Sequence, residues 1–311
     1  MTGSARQAPL NPRSPKSDEL STPGIDRESL GLRSLVWVPV VIAIGINLAL
    51  FVGVSSCFPE YLRDYRLNAN PDAKDYVLLG RNLLFEGHYS RMPGPPFQAD
   101  VLRTPVYPLF AGGLDALGGA AAIYLVQGLL QAGSCFFLYQ IVRSSFGSRA
   151  AFWASLLLAT DLMMAVSNFE AMSEPLFVFL LLAVLSTFGF GNLPALQSNS
   201  SGKTRPAWRF LAGGLLLGLA TLTRPLALYL IPFFAFLPLV SGFRNRGSKL
   251  QGLQCGVAVL MGSLPLVGFW IARNQWEFAV PRLTTVDTQN IVYFFGAGAY
   301  QQRVGLSLEE A

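Results

Sequence analysis

Apolar stretches of membrane-spanning length follow one another along most of the chain, with short polar connectors between them. A helix that crosses the hydrocarbon core of a bilayer needs about 20 mostly apolar residues. We expect transmembrane helices at about residues 35–56, 120–142, 150–166, 174–190, 210–223, 226–240 and 250–271. The pattern therefore predicts an all-α polytopic membrane protein with about seven transmembrane helices, within a range of six to eight.

Two segments leave the number of spans open. Residues 104–117 are apolar except for Asp115, but they are short and contain two prolines and two glycines, which favours a re-entrant or interfacial segment. An eighth span is the alternative there. Residues 210–240 are interrupted only around Arg224, and one long broken helix is the alternative to two spans. That alternative would invert the membrane orientation of every later segment.

Composition supports the membrane class and argues against other classes. Hydrophobic residues make up 52% of the chain, charged residues 13%, and the mean hydropathy is +0.42. An average soluble domain has about 25% charged residues. The net charge of +5 is spread over short connectors and not over one soluble face, so we expect no nucleic-acid partner. Three widely spaced cysteines form neither a CxxC pair nor a disulfide framework.

The first 34 residues are polar and contain four prolines, with acids and bases nearly balanced. Such a segment cannot bury a core and is predicted to be a disordered tail. Because so many residues precede the first apolar stretch, residues 35–56 are interpreted as a signal anchor that stays in the protein and not as a cleaved signal peptide.

Charges in the connectors predict the orientation, because cytoplasmic loops retain Lys and Arg. The connectors at about residues 143–149, 203–209 and 244–249 carry bases without any Asp or Glu, whereas residues 58–103 carry six bases against six acids. We therefore expect a cytoplasmic tail over 1–34 and a transmembrane domain over 35–272. Its first outer loop would cover 58–119, and an extracytoplasmic segment would follow over 273–311.

A helix is predicted within the long outer loop. Asn70 is a favourable N-cap, Pro71 suits the first helical position, and Asp72 and Asp75 favour the positive end of a helix. The helix should continue to about residue 86 and stop at Gly87. These signals alone leave open whether Asp72 has a chemical role or only stabilises the helix start.

The predicted helix has one apolar stripe with an acid at its edge. Asp72, Tyr76, Leu79 and Leu83 are spaced so that they share one helix face. We expect this stripe to press on the membrane surface, as in an interfacial helix. The carboxylate of Asp72 would then face the lipid boundary.

Several short motifs occur in a fixed order along the chain. They are Asp72-x-x-x-Tyr76 and the segments 87–90, 103–109, 143–150, 173–177, 218–225 and 270–274. In this order they resemble the GT-C membrane glycosyltransferases, and most closely the dolichyl-phosphate-mannose protein mannosyltransferase-like and aminoarabinose transferase-like group. The resemblance covers nearly everything from residue 35 to about residue 299.

This resemblance implies a function. Such proteins transfer a sugar from a polyprenyl- or dolichyl-phosphate donor to a protein, lipid or glycan acceptor on the extracytoplasmic face. Asp72 matches the family's catalytic loop carboxylate, which would act as a general base while cations stabilise the departing phosphate. Many relatives have Glu at the next position, where this chain has Ala73. No cofactor is expected, and a divalent cation remains an open alternative.

Three further charged residues are candidates. Glu174 stands at the outer mouth of an apolar span, where an acid is costly unless it has a partner, and the resemblance favours a catalytic role over helix capping. Arg103 and Arg224 are candidate ligands of the lipid phosphate, which suits the planar guanidinium. Snorkelling to the interface is the alternative for Arg224. Asp161 falls inside the third predicted span, which implies an internal partner.

Three ring-containing residues complete the candidate substrate site. Tyr76, His88 and Tyr107 all fall within the motifs of the outer loop. His88 is the only histidine, so a turn role or a sugar contact is favoured over a zinc site, and we expect no metal ligands. Tyr107 is a candidate sugar contact, and a place in the interfacial aromatic belt, which its residue type favours, stays the alternative.

Two other functions stay open, because acids and bases at span ends also serve ion and lipid pathways. One is a transporter or flippase for a lipid-linked sugar or small molecule, and the other is a noncatalytic membrane subunit. In each case we expect a multi-pass protein of a plasma membrane, such as a bacterial inner membrane. The chain is short for the family it resembles, so it is either a fragment or a minimal form.

Overall fold

The computed structural model describes residues 35–63, 70–189, 207–244, 249–296 and 303. Within these ranges the chain is helical, and its only β-type pairing is an isolated antiparallel bridge between Ser90 and Ala99. The predicted all-α class is therefore confirmed. The predicted disordered tail, residues 1–34, lies outside the described residues.

Ten α-helices run through the described ranges. They are α1 Trp37–Cys57, α2 Pro59–Arg63, α3 Pro71–Arg81, α4 Val106–Ala159, α5 Leu162–Phe169, α6 Glu174–Phe188, α7 Ala207–Thr223, α8 Leu230–Arg244, α9 Lys249–Phe278 and α10 Val286–Asn290. A π-helical turn continues α3 over Asn82–Glu86 and another continues α10 over Ile291–Gly296. A 3₁₀ turn, Pro225–Tyr229, precedes α8.

Three helices, α1, α4 and α9, are long and apolar enough to cross a membrane. The helices α5 and α6 meet at a bend of 120° and would add a fourth span if they form one broken crossing. The shorter apolar segments Ala207–Thr223 and Pro225–Val240 fall below that length. The chain is thus an integral membrane protein, and the count of seven spans stays a prediction.

Glycine kinks divide α4 into three pieces. Gly119 has φ 65° and Gly147 has φ 82°, conformations that glycine adopts readily because it lacks a Cβ. The first kink separates the apolar segment 106–117 from the next piece, and the second lies in the connector predicted between two spans. Both breaks therefore match the boundaries expected from the sequence.

The third predicted span, residues 150–166, is not a continuous helix. The chain breaks after Ala159, and the carboxylate of Asp161 caps the next helix by accepting hydrogen bonds from the backbone N–H groups of Met163 and Met164 at 2.9 and 3.3 Å. A side-chain oxygen at this position satisfies amides that have no partner inside the helix. The expected internal partner of Asp161 was wrong, because this exposed carboxylate is a helix cap.

Helix α3 forms where the sequence predicts it, and Gly87 ends its π-helical extension in the left-handed conformation, φ 72°. Its apolar face, however, packs on protein and not on the membrane surface. Tyr76 and Leu79 are buried, and Gly80 lies directly against Pro108 and Gly112 of α4. The expected lipid contact of this stripe was wrong, because two facing glycines let the helices touch.

The predicted boundary between residues 272 and 273 falls inside a helix. Helix α9 continues to Phe278, so Arg273 and Asn274 belong to its last turns. Asn274 donates from Nδ2 to the carbonyls of Arg282 and Leu283, at 2.9 and 3.3 Å, and thereby ties the following segment back onto the helix end. Residues 282–283 therefore pack back onto the end of α9.

Polar side chains join three helices within the apolar bundle. Asn47 of α1 donates to the Oε1 atom of Gln131 in α4 at 3.0 Å, and Asn168 of α5 donates to Gln131 at 2.7 Å and to Asn47 at 2.8 Å. All three side chains are buried. Such hydrogen bonds stabilise helix association where lipid offers no alternative partner.

The segments that the charge pattern places outside meet at one end of the bundle. Asn70 donates to Glu170 at 3.3 Å, Thr104 donates to the carbonyl of Thr223 at 3.3 Å, and Thr284 donates to the carbonyl of Leu102. At the other end, one cavity is lined by Arg143 of the α4 connector and by Gly189 after α6. The candidate site lies at the first of these two ends, where Asn70, Thr104 and Thr284 make their contacts.

Candidate functional site

The first half of the site is an ion pair between Asp72 and Arg103. Asp72 lies in the first turn of α3, where the side chain of Asn70 accepts a hydrogen bond from its backbone N–H at 3.0 Å. The Nη2 atom of Arg103 contacts the Oδ1 atom of Asp72. The Asp72 side chain remains 36% exposed. A fixed, charged and accessible carboxylate is thus present at this end of the helices.

The second half is an ion pair between Glu174 and Arg224. Glu174 opens α6, and Arg224 lies in an extended turn between α7 and the 3₁₀ turn. The Nη1 atom of Arg224 lies 2.6 Å from the Oε1 atom of Glu174. The Oε2 atom of Glu174 is buried and has no hydrogen-bond partner within the described ranges. This oxygen is a free acceptor beside the guanidinium.

A side-chain hydrogen bond links the two segments that carry the cations of the ion pairs. Thr104, which follows Arg103, donates from its hydroxyl to the carbonyl of Thr223, which precedes Arg224. Tyr76 contacts both segments: the guanidinium carbon of Arg103 is 5.3 Å from the centre of its ring, and its phenol hydrogen-bonds with Ser173, next to Glu174. Three separate connectors therefore supply one cluster of two acids and two cations.

Tyr76 is buried under this cluster. Its ring meets that of Tyr107 edge-on, with 4.7 Å between the ring centres. Burial raises the pKa of the Tyr76 phenol above its usual 10, and the nearby Arg103 offsets part of that rise. A hydrogen bond with Ser173 ties the phenol to the residue before Glu174. Neutral Tyr76 therefore links α3 to the start of α6.

Tyr107 is fully buried behind Tyr76. Its hydroxyl donates to the Oε1 atom of Gln127 at 3.2 Å, and the Nε2 atom of Gln127 donates to the carbonyl of Met172 at 2.9 Å. This chain of contacts supports the turn that leads into Glu174. The predicted contact of Tyr107 with a sugar stays a prediction.

His88 is exposed and stacks on Phe97, with 4.8 Å between the ring centres. Among the described contacts, none joins it to the two ion pairs, so its predicted role in substrate binding stays a prediction. Within the described ranges there is also no group of three His, Cys, Asp or Glu side chains arranged to hold a metal ion.

Residues beyond the predicted set fix the backbone of Arg103. The Oδ1 atom of Asp100 accepts hydrogen bonds from the N–H groups of Leu102 and Arg103 at 2.9 and 3.1 Å. The hydroxyl of Tyr89 donates to the carbonyl of Arg103 at 2.9 Å. Asp side chains often accept hydrogen bonds from the amides two and three residues further along the chain, in a turn. Asp100 was therefore identifiable from the sequence.

Glu170 brings another carboxylate to the same end. Its Oε2 atom accepts a hydrogen bond from the side chain of Asn70 at 3.3 Å, one residue before Pro71 and two before Asp72. The contact joins residues 100 positions apart, and a local pattern cannot indicate such a pairing.

Comparison with known proteins gives one match. The family described as dolichyl-phosphate-mannose-protein mannosyltransferase matches residues 103–270, which is more than half of the chain. The matched range contains Arg103, Tyr107, Glu174 and Arg224, whereas Asp72 and the rest of α3 precede it. No curated protein and no solved structure matches the chain.

Proposed function

The chain belongs to the dolichyl-phosphate-mannose-protein mannosyltransferase family, which is of the GT-C type, and on that premise we propose that it transfers a sugar from a lipid-phosphate donor. The observation that supports this function best is the cluster of Asp72, Arg103, Glu174 and Arg224 at one end of the apolar helices. A membrane-bound phosphate can meet two guanidinium groups there, beside an accessible carboxylate.

Asp72 is proposed as the general base. As the acceptor hydroxyl or amine attacks the anomeric carbon, its proton passes to the Asp72 carboxylate, and the bond between that carbon and the phosphate oxygen breaks. The departing lipid phosphate retains the electron pair of this bond. Proton transfer by a positioned carboxylate contributes about 10²- to 10⁴-fold to the rate of such reactions.

Arg224 and Arg103 are proposed to bind the phosphate of the donor. Arg224 is held by Glu174 through one nitrogen, and 39% of its side chain remains exposed. The planar guanidinium binds phosphate through two parallel hydrogen bonds, which a lysine cannot reproduce. Cations fixed before the reaction stabilise the developing phosphate charge without reorganisation. Glu174 therefore supports catalysis by orienting Arg224.

We propose that this end of the bundle faces the extracytoplasmic side of a plasma membrane and that the N-terminus is cytoplasmic. The support is the charge pattern, since the connectors at the opposite end carry bases without acids. The acceptor would be a protein, lipid or glycan outside the cell, and the donor would be a polyprenyl- or dolichyl-phosphate sugar.

The deciding experiment is sugar transfer by purified protein in lipid vesicles, with polyprenyl-phosphate mannose as the first donor probe. We expect Asp72→Asn to lower the rate at least about 10²-fold, as expected for the loss of a general base. Asp161→Asn is the matched control. Its exposed carboxylate caps a helix and has no described contact with either ion pair, and Asn caps equally well.

Two outcomes would contradict the proposal. Equal rates for wild type and Asp72→Asn would remove Asp72 from the reaction. Movement of the labelled lipid between the two leaflets of sealed vesicles, without covalent transfer, would instead identify a flippase. Charged residues at span ends are equally suited to that function.

A further inference from the structure

Arg273 lies near the end of α9, beyond the range matched by the family, and its guanidinium is enclosed by aromatic rings. It lies 5.5 Å from the ring centre of Tyr89, 5.0 Å from that of Trp270 and 5.1 Å from that of Phe278. Its Nη1 atom donates to the backbone carbonyl of Asp100 at 2.6 Å. Arg273 therefore contacts the loop that carries Arg103.

Both peptide groups of Arg103 are held by residues that Arg273 touches. The side chain of Asp100 accepts from the N–H of Arg103 at 3.1 Å, and the hydroxyl of Tyr89 donates to its carbonyl at 2.9 Å. Arg273 stacks on the ring of Tyr89 and binds the carbonyl of Asp100. A single side chain of α9 thus braces the loop on both sides of Arg103.

The segment after α9 reinforces this arrangement. Trp270, one of the rings around Arg273, donates from its indole N–H to the carbonyl of Leu283 at 3.1 Å. The hydroxyl of Thr284 then donates to the carbonyl of Leu102, next to Arg103. The loop is therefore clamped between the end of α9 and the residues that follow it.

We propose that Arg273 is a positioning residue that keeps Arg103 against Asp72. The consequence for sugar transfer rests on the proposed function, whereas the mechanical coupling between Arg273 and Arg103 does not. A displacement of about 1 Å at a group that aligns reactants can lower a rate about 10²-fold. Arg is suited to this task because its flat guanidinium stacks on rings while its edge donates hydrogen bonds.

Four variants test the proposal in the vesicle assay: Arg273→Gln, Arg273→Lys, Arg103→Gln and the double variant Arg273→Gln/Arg103→Gln. We expect Arg273→Gln to raise the KM for the lipid-phosphate donor about tenfold, and Arg273→Lys to recover only part of that loss. Arg282→Gln is the matched control, because the exposed Arg282 side chain contacts only Thr288 among the described residues.

The double variant separates positioning from general stability. If Arg273 acts through Arg103, replacing Arg273 changes the donor KM little once Arg103 has been replaced. The effects of the two substitutions are then not additive. The full tenfold effect in the Arg103→Gln background would overturn the proposal. So would a donor KM unchanged by Arg273→Gln in active protein.

Failure of the proposed function has a different signature. If the wild-type protein transfers no sugar, the same four variants are compared by thermal unfolding in detergent. Positioning predicts that the losses in Tm for Arg273→Gln and Arg103→Gln are not additive, since the residues share a braced loop. Strictly additive losses would overturn the coupling whatever the reaction is.

Discussion

Arg224 pairs with Glu174 at 2.6 Å and thereby joins the turn after α7 to the first residue of α6. Both side chains are partly exposed, so the pair fixes the relative position of two helix ends more than it offsets buried charge. The same contact leaves the other carboxylate oxygen of Glu174 buried without a partner within the described ranges. The contact with Arg224 therefore leaves one acceptor of Glu174 unused.

Replacing Arg224 by Gln is expected to impair transfer much more than folding. Glu174 and Arg224 are 33% and 39% exposed, so solvent screens the pair and it contributes at most about 1 kcal/mol to stability. We expect a donor KM at least about tenfold higher with a nearly unchanged Tm, since a tenfold change corresponds to about 1.4 kcal/mol. Arg282→Gln is the control with an exposed guanidinium.

A charge swap, Glu174→Arg with Arg224→Glu, sharpens this test. The swap keeps an ion pair at the same place but moves the cation to the start of α6. If Arg224 binds phosphate, the swapped protein recovers Tm relative to the single variants and stays impaired in transfer. Full recovery of the donor KM would show that the pair has only a structural role.

The contact between α3 and α4 should tolerate no added methyl group at Gly80. A Cβ built there would lie 1.9 Å from the carbonyl oxygen of Pro108, whereas at Gly113 the nearest atom is the Cδ1 of Leu84 at 3.8 Å. Overpacking of this kind costs about 1–3 kcal/mol. We expect Gly80→Ala to lower Tm and transfer together, because displacing α3 moves Asp72. Gly113→Ala should match the wild type in both measurements.

The extent of α3 was predictable from the sequence, and the surface that covers it was not. The Asn70 cap, Pro71 and the stop at Gly87 are local signals that act within one or two helix turns. An apolar stripe containing Tyr76 and Leu79 only shows that something covers it. Either lipid or protein can cover such a stripe. Here α4 covers it, because Gly112, which is distant in sequence, lets the two helices touch.

The members of the charged cluster were predictable one by one, but not their pairing. Asp72, Glu174, Arg103 and Arg224 are polar exceptions at the ends of apolar stretches, which marks each of them in the sequence. Their pairing depends on how three connectors fold onto each other, and helical periodicity carries no information on that. Asp161 shows the opposite error, because a local cap was interpreted as a distant contact.

Tyr76 should make stability depend on pH in the alkaline range. Burial raises the pKa of its phenol in the folded protein above the usual 10, with partial compensation by Arg103. Below pH 10 the Tyr76 phenol is protonated in both the folded and the unfolded protein, and its contribution to the free energy of unfolding is fully present. As pH rises above 10 the unfolded state loses the proton first, so stability falls until the folded pKa is passed.

The measurement is Tm across buffers from about pH 8 to pH 11, around the reference pKa of Tyr near 10. We expect the wild-type Tm to fall more steeply above pH 10 than that of Tyr76→Phe, which has no proton to lose at this position. Parallel curves would show that Tyr76 is as solvated in the folded protein as in the unfolded chain.

The buried amides that join α1, α4 and α5 should contribute measurably to stability. Asn168 donates to both Asn47 and Gln131, and its replacement by Ala leaves their oxygens without this donor. Such hydrogen bonds contribute about 0.6 kcal/mol on average in membrane bundles, with a maximum of about 1.7. We expect a lower Tm for Asn168→Ala. Ser167→Ala should have no effect, because the Ser167 hydroxyl donates only to the carbonyl of Met163 in the preceding turn.

The orientation of the cluster is tested with the native cysteines. Cys57 is exposed at the end of α1, on the side of the outer loop, whereas Cys135 and Cys255 are buried. We expect a membrane-impermeant maleimide added to intact cells to label Cys57, because the charge pattern places this end outside. A Cys57→Ser protein should not react.

The opposite face supplies the control for that labelling. Arg149 is exposed beside the Gly147 kink, in a connector with bases and no acids. Arg149→Cys in the Cys57→Ser background should react only after the membrane is permeabilised. If Arg149→Cys reacts in intact cells and Cys57 requires permeabilisation, the cluster faces the cytoplasm. The acceptor would then be a cytoplasmic molecule, and the proposed extracytoplasmic transfer would be wrong even with Asp72 as the base.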